Sequence, residues 1–126
     1  MSDVGFESMT LGRVLQSDPR YPEKAYVFVL LALQRVIGAL ETPRHVTARE
    51  LALGCRDLAL ELYGPLARTV LEHWGIPGTW AIGDLVFNLL DAGVLSKSEE
   101  DAREDFHDVF DFDQAFGRGD PRGSRA

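Results

Sequence analysis

A single cysteine, Cys55, stands in this chain of 126 residues. It excludes an internal disulfide and any cysteine-based zinc site. Cations are scarce as well: 13 Lys and Arg face 20 Asp and Glu, for a formal net charge of −7. A surface of that sign repels nucleic-acid phosphate and anionic lipid. Neither nucleic acid nor membrane is therefore expected as a partner, whereas a basic protein segment is. Long apolar runs are missing too. The longest, Ala25–Leu33, is about half of the roughly 20 residues that a membrane span requires. The opening stretch Met1–Met9 has no basic segment followed by an apolar one, so no export signal is expected. A soluble, cytoplasmic protein is the expectation.

The motifs of known chemistry are equally sparse. No P-loop, G-x-G-x-x-G, HExxH or G-x-S-x-G occurs. His45, His73 and His107 have no second histidine at i+3 or i+4, so they form no metal-ligand pattern and no catalytic signature. The carboxylates of the C-terminal third lack EF-hand spacing and its glycine. Cys55 lies between Leu51 and Leu58 on a helical stripe, where a small buried hydrophobe is expected rather than a nucleophile. No catalytic, cofactor-binding or metal residue is assigned, and the chain reads more as a non-enzyme than as an enzyme. Arg118-Gly119-Asp120 is read as a chance tripeptide.

What is present is a strong helical pattern. With 45% hydrophobic residues, one domain is expected. Tyr21–Leu40 puts Tyr26, Val29, Leu30, Leu33, Val36, Ile37 and Leu40 on one face and Phe28, Leu31 and Ala32 on its flank. A helix apolar nearly all round must be covered on several sides, so this segment is expected to be the central helix. Thr47-Ala48-Arg49-Glu50 has the form of a capping box, with Val46 and Leu51 as a hydrophobic staple, and opens a helix over Ala48–Tyr63. Gly64-Pro65 stops and restarts the chain. Leu66–Trp74 carries a second amphipathic stripe, closed by Gly75 as a left-handed cap with Ile76 behind it. Thr79 is expected to cap a helix over Trp80–Ala92, whose polar face carries Asp84, Asn88 and Asp91.

The C-terminal part is mixed in character. Val94–Lys97 reads as extended. In Phe106–Phe112 the phenylalanines fit either a strand or a helix, and Asp111–Phe116 can supply one more helical turn. The expected fold is mainly α: a compact bundle of about five helices around the central helix, with a short C-terminal β-hairpin and a winged-helix-like topology within reach. Residues 1–19 would be an N-terminal helix and linker, 20–116 one globular helical domain, and 117–126 a disordered tail. A DNA-reading winged helix is opposed by the absence of Lys and Arg on the Trp80–Ala92 helix and by the acidic character of the wing.

Several pieces of the chain resemble a small family of conserved proteins of planctomycetes and verrucomicrobia. They are Tyr21…Ala25-Tyr26…Phe28-Val29, His45-Val46-Thr47…Glu50-Leu51, Trp74-Gly75-Ile76, Gly83…Val86-Phe87…Leu89 and Asp105-Phe106…Phe112…Phe116. The resemblance covers about residues 20–116 and departs at Trp80–Ile82, where polar or acidic residues would be expected. It implies a domain boundary and no activity.

Function then rests on surface features. Glu99, Glu100, Asp101, Glu104, Asp105 and Asp108 form an acidic run interleaved with Phe106, Phe110, Phe112 and Phe116. Buried phenylalanines would hold those acids in place. Trp80, at the start of its helix, is expected to be exposed, and tryptophan is enriched at binding hot spots. The expected function is a non-catalytic protein–protein interaction module using this acidic–aromatic face, toward a basic partner or a second copy. The alternative is a small-molecule binding domain or small enzyme whose pocket lies between helices and uses Tyr26, His45 and Glu50.

Overall fold

A computed structural model describes residue 1 and residues 8–117. The expectations that fall on residues 2–7 and on the tail beyond Gly117, including Arg118-Gly119-Asp120, lie outside the described residues. The described chain is mainly helical: α1 (Ser8–Ser17), α2 (Glu23–Ala39), α3 (Ala48–Tyr63), α4 (Ala67–His73), α5 (Thr79–Asp91) and the short α6 (Phe112–Phe116), with 3₁₀ turns at Gly64–Leu66 and Arg103–Phe106. Among the described residues no helix is long and apolar enough to cross a membrane.

Local chemistry sets the helix ends. The Thr47 hydroxyl accepts the Glu50 N–H at 3.1 Å and the Glu50 carboxylate accepts the Thr47 N–H at 2.9 Å, which completes the capping box. Val46 and Leu51 on either side of it are both buried. At the far end of α4, Gly75 takes φ 86°, a conformation that glycine adopts without a Cβ clash. Ile76 N–H then reaches back to the Leu71 carbonyl at 2.9 Å, closing the helix as a Schellman turn. Thr79 behaves differently from the expectation of a cap. The N-cap is Gly78, and Thr79 is the first residue inside α5. Its hydroxyl is used for a longer-range contact, described below.

The layers assemble around two helices. α2 packs against α3 and α5, and α3 also meets α4 and α5. The N-terminal two-thirds of α2 is covered as expected: Ala25, Tyr26, Phe28, Val29, Leu30, Ala32 and Leu33 are buried. Its coverage is not complete, because Leu31 is 46% exposed. α5 is the better-sheathed helix, with Thr79, Ala81–Phe87 without a break, Leu89 and Leu90 all buried. A helix buried on all sides is what its run of apolar residues requires, and the centre of the molecule shifts from α2 toward α5.

The expected C-terminal β-hairpin is not formed, and the winged-helix topology goes with it. Val94–Lys97 and Phe106–Phe112 do not pair as strands; Phe106 ends a 3₁₀ turn, Phe112 begins α6, and the residues between them form turns. The reason lies in α5. Phe106 is fully buried and its ring and Cβ crowd Gly83, where a Cβ would stand 2.9 Å from the Phe106 Cβ. The Thr79 hydroxyl donates to the Phe106 carbonyl at 2.5 Å and accepts the Val109 N–H at 3.2 Å. Backbone groups that a ladder would have used are thus satisfied by one side chain of α5.

Candidate functional site

The C-terminal segment is laid across α5 as a fixed strap. Arg103 at its start pairs with Asp84 on α5, Nη1 to Oδ1 at 3.0 Å. Phe106 plugs the gap over Gly83. Beyond it, Phe110 stacks on Phe112 with centroids 5.5 Å apart, and Phe116 meets both rings edge-on. Asp111 caps α6 by accepting the Asp113 and Gln114 N–H groups. Arg68 on α4 bonds to Asp113 and to the Gly117 carbonyl, and its guanidinium lies over the Phe112 ring. Contacts at both ends and in the middle hold the acidic residues at defined positions.

The expected partner-binding residues divide into two groups. Asp101 belongs to the interior. Its side chain is 8% exposed, lies 3.0 Å from the Met1 ammonium and accepts the Ser98 N–H at 2.8 Å. Glu99, Glu100, Glu104, Asp105 and Asp108 are exposed, and Trp80 is 46% exposed. Trp80 and Asp108 come together. They line a cavity of about 550 Å³ that also takes in Arg68, Phe110, Asp111 and Asp113, and a second hollow of about 390 Å³ shared with His107. The indole folds back over Gly78, where a Cβ would stand 3.0 Å from Trp80 Nε1. Asp108 has φ 51°, an unfavourable conformation for a residue with a side chain. The strap on either side imposes it, with Val109 N–H bound to Thr79.

Among the described residues, the cations at this face are themselves paired. Arg103 is bound to Asp84 and lies over the Phe87 ring, which Lys97 also approaches. Arg68 lines the larger cavity itself, with its charge shared between Asp113 and Glu72. Among the described residues, the rest of this surface is an aromatic ring flanked by carboxylates.

The alternative pocket residues are not gathered. Tyr26 is buried in α2 and its hydroxyl accepts from Asn88 Nδ2 at 3.1 Å. Glu50 is occupied by its capping box and by Arg44, which holds its carboxyl down at about 2. His45 is exposed beside that cap. A hollow against Glu50 runs along Val36, Leu40 and Leu53 and includes neither Tyr26 nor His45.

A polar network with no counterpart in the sequence pattern joins the α1–α2 linker to α5 and the strap. Asp84 is 8% exposed. It accepts from the Tyr21 hydroxyl at 3.0 Å and pairs with Arg103 and, at 3.4 Å, with Arg20. Arg20 grips Asp18 with two bonds of 2.8 and 2.7 Å, which hold the Asp18 carboxyl well below the usual range. Asn88 closes the chain by donating to Asp18 at 2.8 Å and to Tyr26. Burial, reinforced by Asp84, pushes the Tyr21 phenol up, so it remains a neutral donor. Among the described residues no buried side-chain polar atom lacks a partner. A closed network of this kind fixes geometry; it offers no open group to a substrate. Burial likewise pushes the Cys55 thiol up to about 12, which makes it inert.

Among the described residues no cluster of His, Cys, Asp and Glu has the arrangement of a metal site. No family model, curated protein or solved structure matches the chain.

Proposed function

We propose that the protein is a non-catalytic docking module that takes a basic segment of a protein partner on the face formed by Trp80 and the strap carboxylates. The observation that carries this reading is the pairing of a half-exposed indole with Asp108 across two adjoining hollows. An aromatic face beside carboxylates is complementary to a Lys or Arg side chain. The ring attracts the cation through its quadrupole and the acids neutralise it. Glu99, Glu100, Glu104 and Asp105 extend the negative field around the strap and accelerate encounter with a basic partner. Because the strap is already ordered, binding loses little conformational entropy on this side.

The test is a titration of the protein with a Lys/Arg-rich peptide, followed by tryptophan fluorescence and by calorimetry, with a Glu-rich peptide of equal length as control. Saturable binding of the basic peptide alone is expected. Trp80→Ala and Asp108→Asn should each weaken it by about tenfold, the scale of one anchor at an interface. Absence of saturable binding at low ionic strength would reject the proposal. So would affinity that survives both substitutions.

A further inference from the structure

A face suited to a basic segment has one within its own chain. Beyond Gly117 the sequence runs on as RGDPRGSRA, with Arg118, Arg122 and Arg125 against Asp120, a net charge of +2. The chain as a whole carries −7. Apart from Pro121 and Ala126 these nine residues hold no apolar side chain, so charge is what they can bind with. The point from which they depart is fixed. Gly117 is tied to two residues that line the larger cavity: its N–H donates to the Asp113 carbonyl at 3.0 Å, and its carbonyl accepts from Arg68 Nη1 at 2.6 Å. Gly117 takes φ 77°, the left-handed form in which a helix stops and the chain turns.

Charge and reach both match. The cavity lining carries Asp108, Asp111 and Asp113 against Arg68, a net −2, equal and opposite to the segment. Trp80 adds a ring face that attracts a guanidinium. An extended chain advances about 3.3–3.6 Å per residue, so Arg118 starts beside the cavity and Arg122 reaches up to about 18 Å from Gly117. That length is enough to cross a cavity of about 550 Å³. A segment joined so closely to its site is present there at an effective concentration in the millimolar range. A free basic peptide arriving at the same carboxylates has to displace it.

We propose, resting on the docking reading of this face, that residues 118–126 of the same chain occupy the Trp80–Asp108 cavity through their arginines and compete with a basic partner for it. The segment then sets the affinity of the face without closing it. The test uses two variants of the full chain. Arg118→Gln, Arg122→Gln and Arg125→Gln together remove the charge of the segment. Lys24→Gln, Arg35→Gln and Arg56→Gln remove the same charge from α2 and α3, and so control for the change in net charge. Trp80 is 46% exposed and Trp74 only 9%, so acrylamide quenching of the fluorescence reports chiefly on Trp80. Without any peptide, quenching should rise in the first variant and not in the second. A Lys/Arg-rich peptide should bind the first roughly three- to tenfold more tightly than the second, the advantage lost with a tethered competitor. Quenching that is the same in both variants overturns the proposal, and a peptide that binds both then leaves the docking reading intact. A rise in quenching in the first variant, with no peptide bound to either, upholds the proposal and removes the partner.

Discussion

At the scale of single residues, Asp84 is the most informative. The helical pattern places it with Asn88 and Asp91 on a polar face, which would normally point to water. Three partners distant in sequence, Tyr21, Arg20 and Arg103, draw it inward instead. No local pattern could announce that, because the cause lies 63 residues away at Tyr21 and 19 residues away at Arg103. Asp84→Ala leaves a buried phenol without its acceptor and should cost about 2–3 kcal/mol in urea unfolding. Tyr21→Phe should cost about 1 kcal/mol. The double variant should cost clearly less than the sum, since the two side chains share one bond. Additive losses would mean that the network is not coupled. Gly78 tests the site rather than the fold. A methyl group there would displace the Trp80 indole at 3.0 Å, and the ring lies at the surface. Gly78→Ala should leave stability within about 0.5 kcal/mol, the range of surface substitutions, while weakening a basic peptide.

At the scale of elements, the helices were legible and the strap was not. The capping box, the Gly75 closure and the stripe of Leu51, Cys55 and Leu58 are local signals, and the structure realises each of them. The strap depends on where α5 presents Thr79 and Gly83. FHDVFDF alternates like a strand, yet its first phenylalanine is held in a turn by contacts across 27 residues. The α3 cap also gives a pH signature. Glu50 ionises at about 2 in the folded protein against an ordinary 4.5, chiefly through Arg44. Its folded pKa is depressed, so its stabilising effect is complete above about 4.5 and lost as pH falls toward about 2. Arg44 is half-exposed, so solvent screening keeps this contribution small, on the scale of a surface ion pair. The stability difference between wild type and Glu50→Gln should therefore shrink across that interval. A difference that stays constant with pH would show that the ion pair adds nothing to the cap.

At the scale of the whole molecule, charge is unevenly divided, and this decides how the strap face meets a partner. Composition alone disclosed the −7 but not its placement, because only folding shows that Asp101 is internal and that Arg68 and Arg103 are bound within the domain. What faces outward along the strap is acidic, whereas α2 and α3 together carry no net charge. Raising salt screens exposed charges beyond about 8–10 Å and leaves apolar burial intact. Binding of a basic peptide should accordingly weaken steeply between low and physiological ionic strength, mostly through a slower association rate. Stopped-flow fluorescence over that range measures it. An association rate that does not change with salt would mean that the strap carboxylates do not steer the encounter, and the acidic half of the docking face would fail.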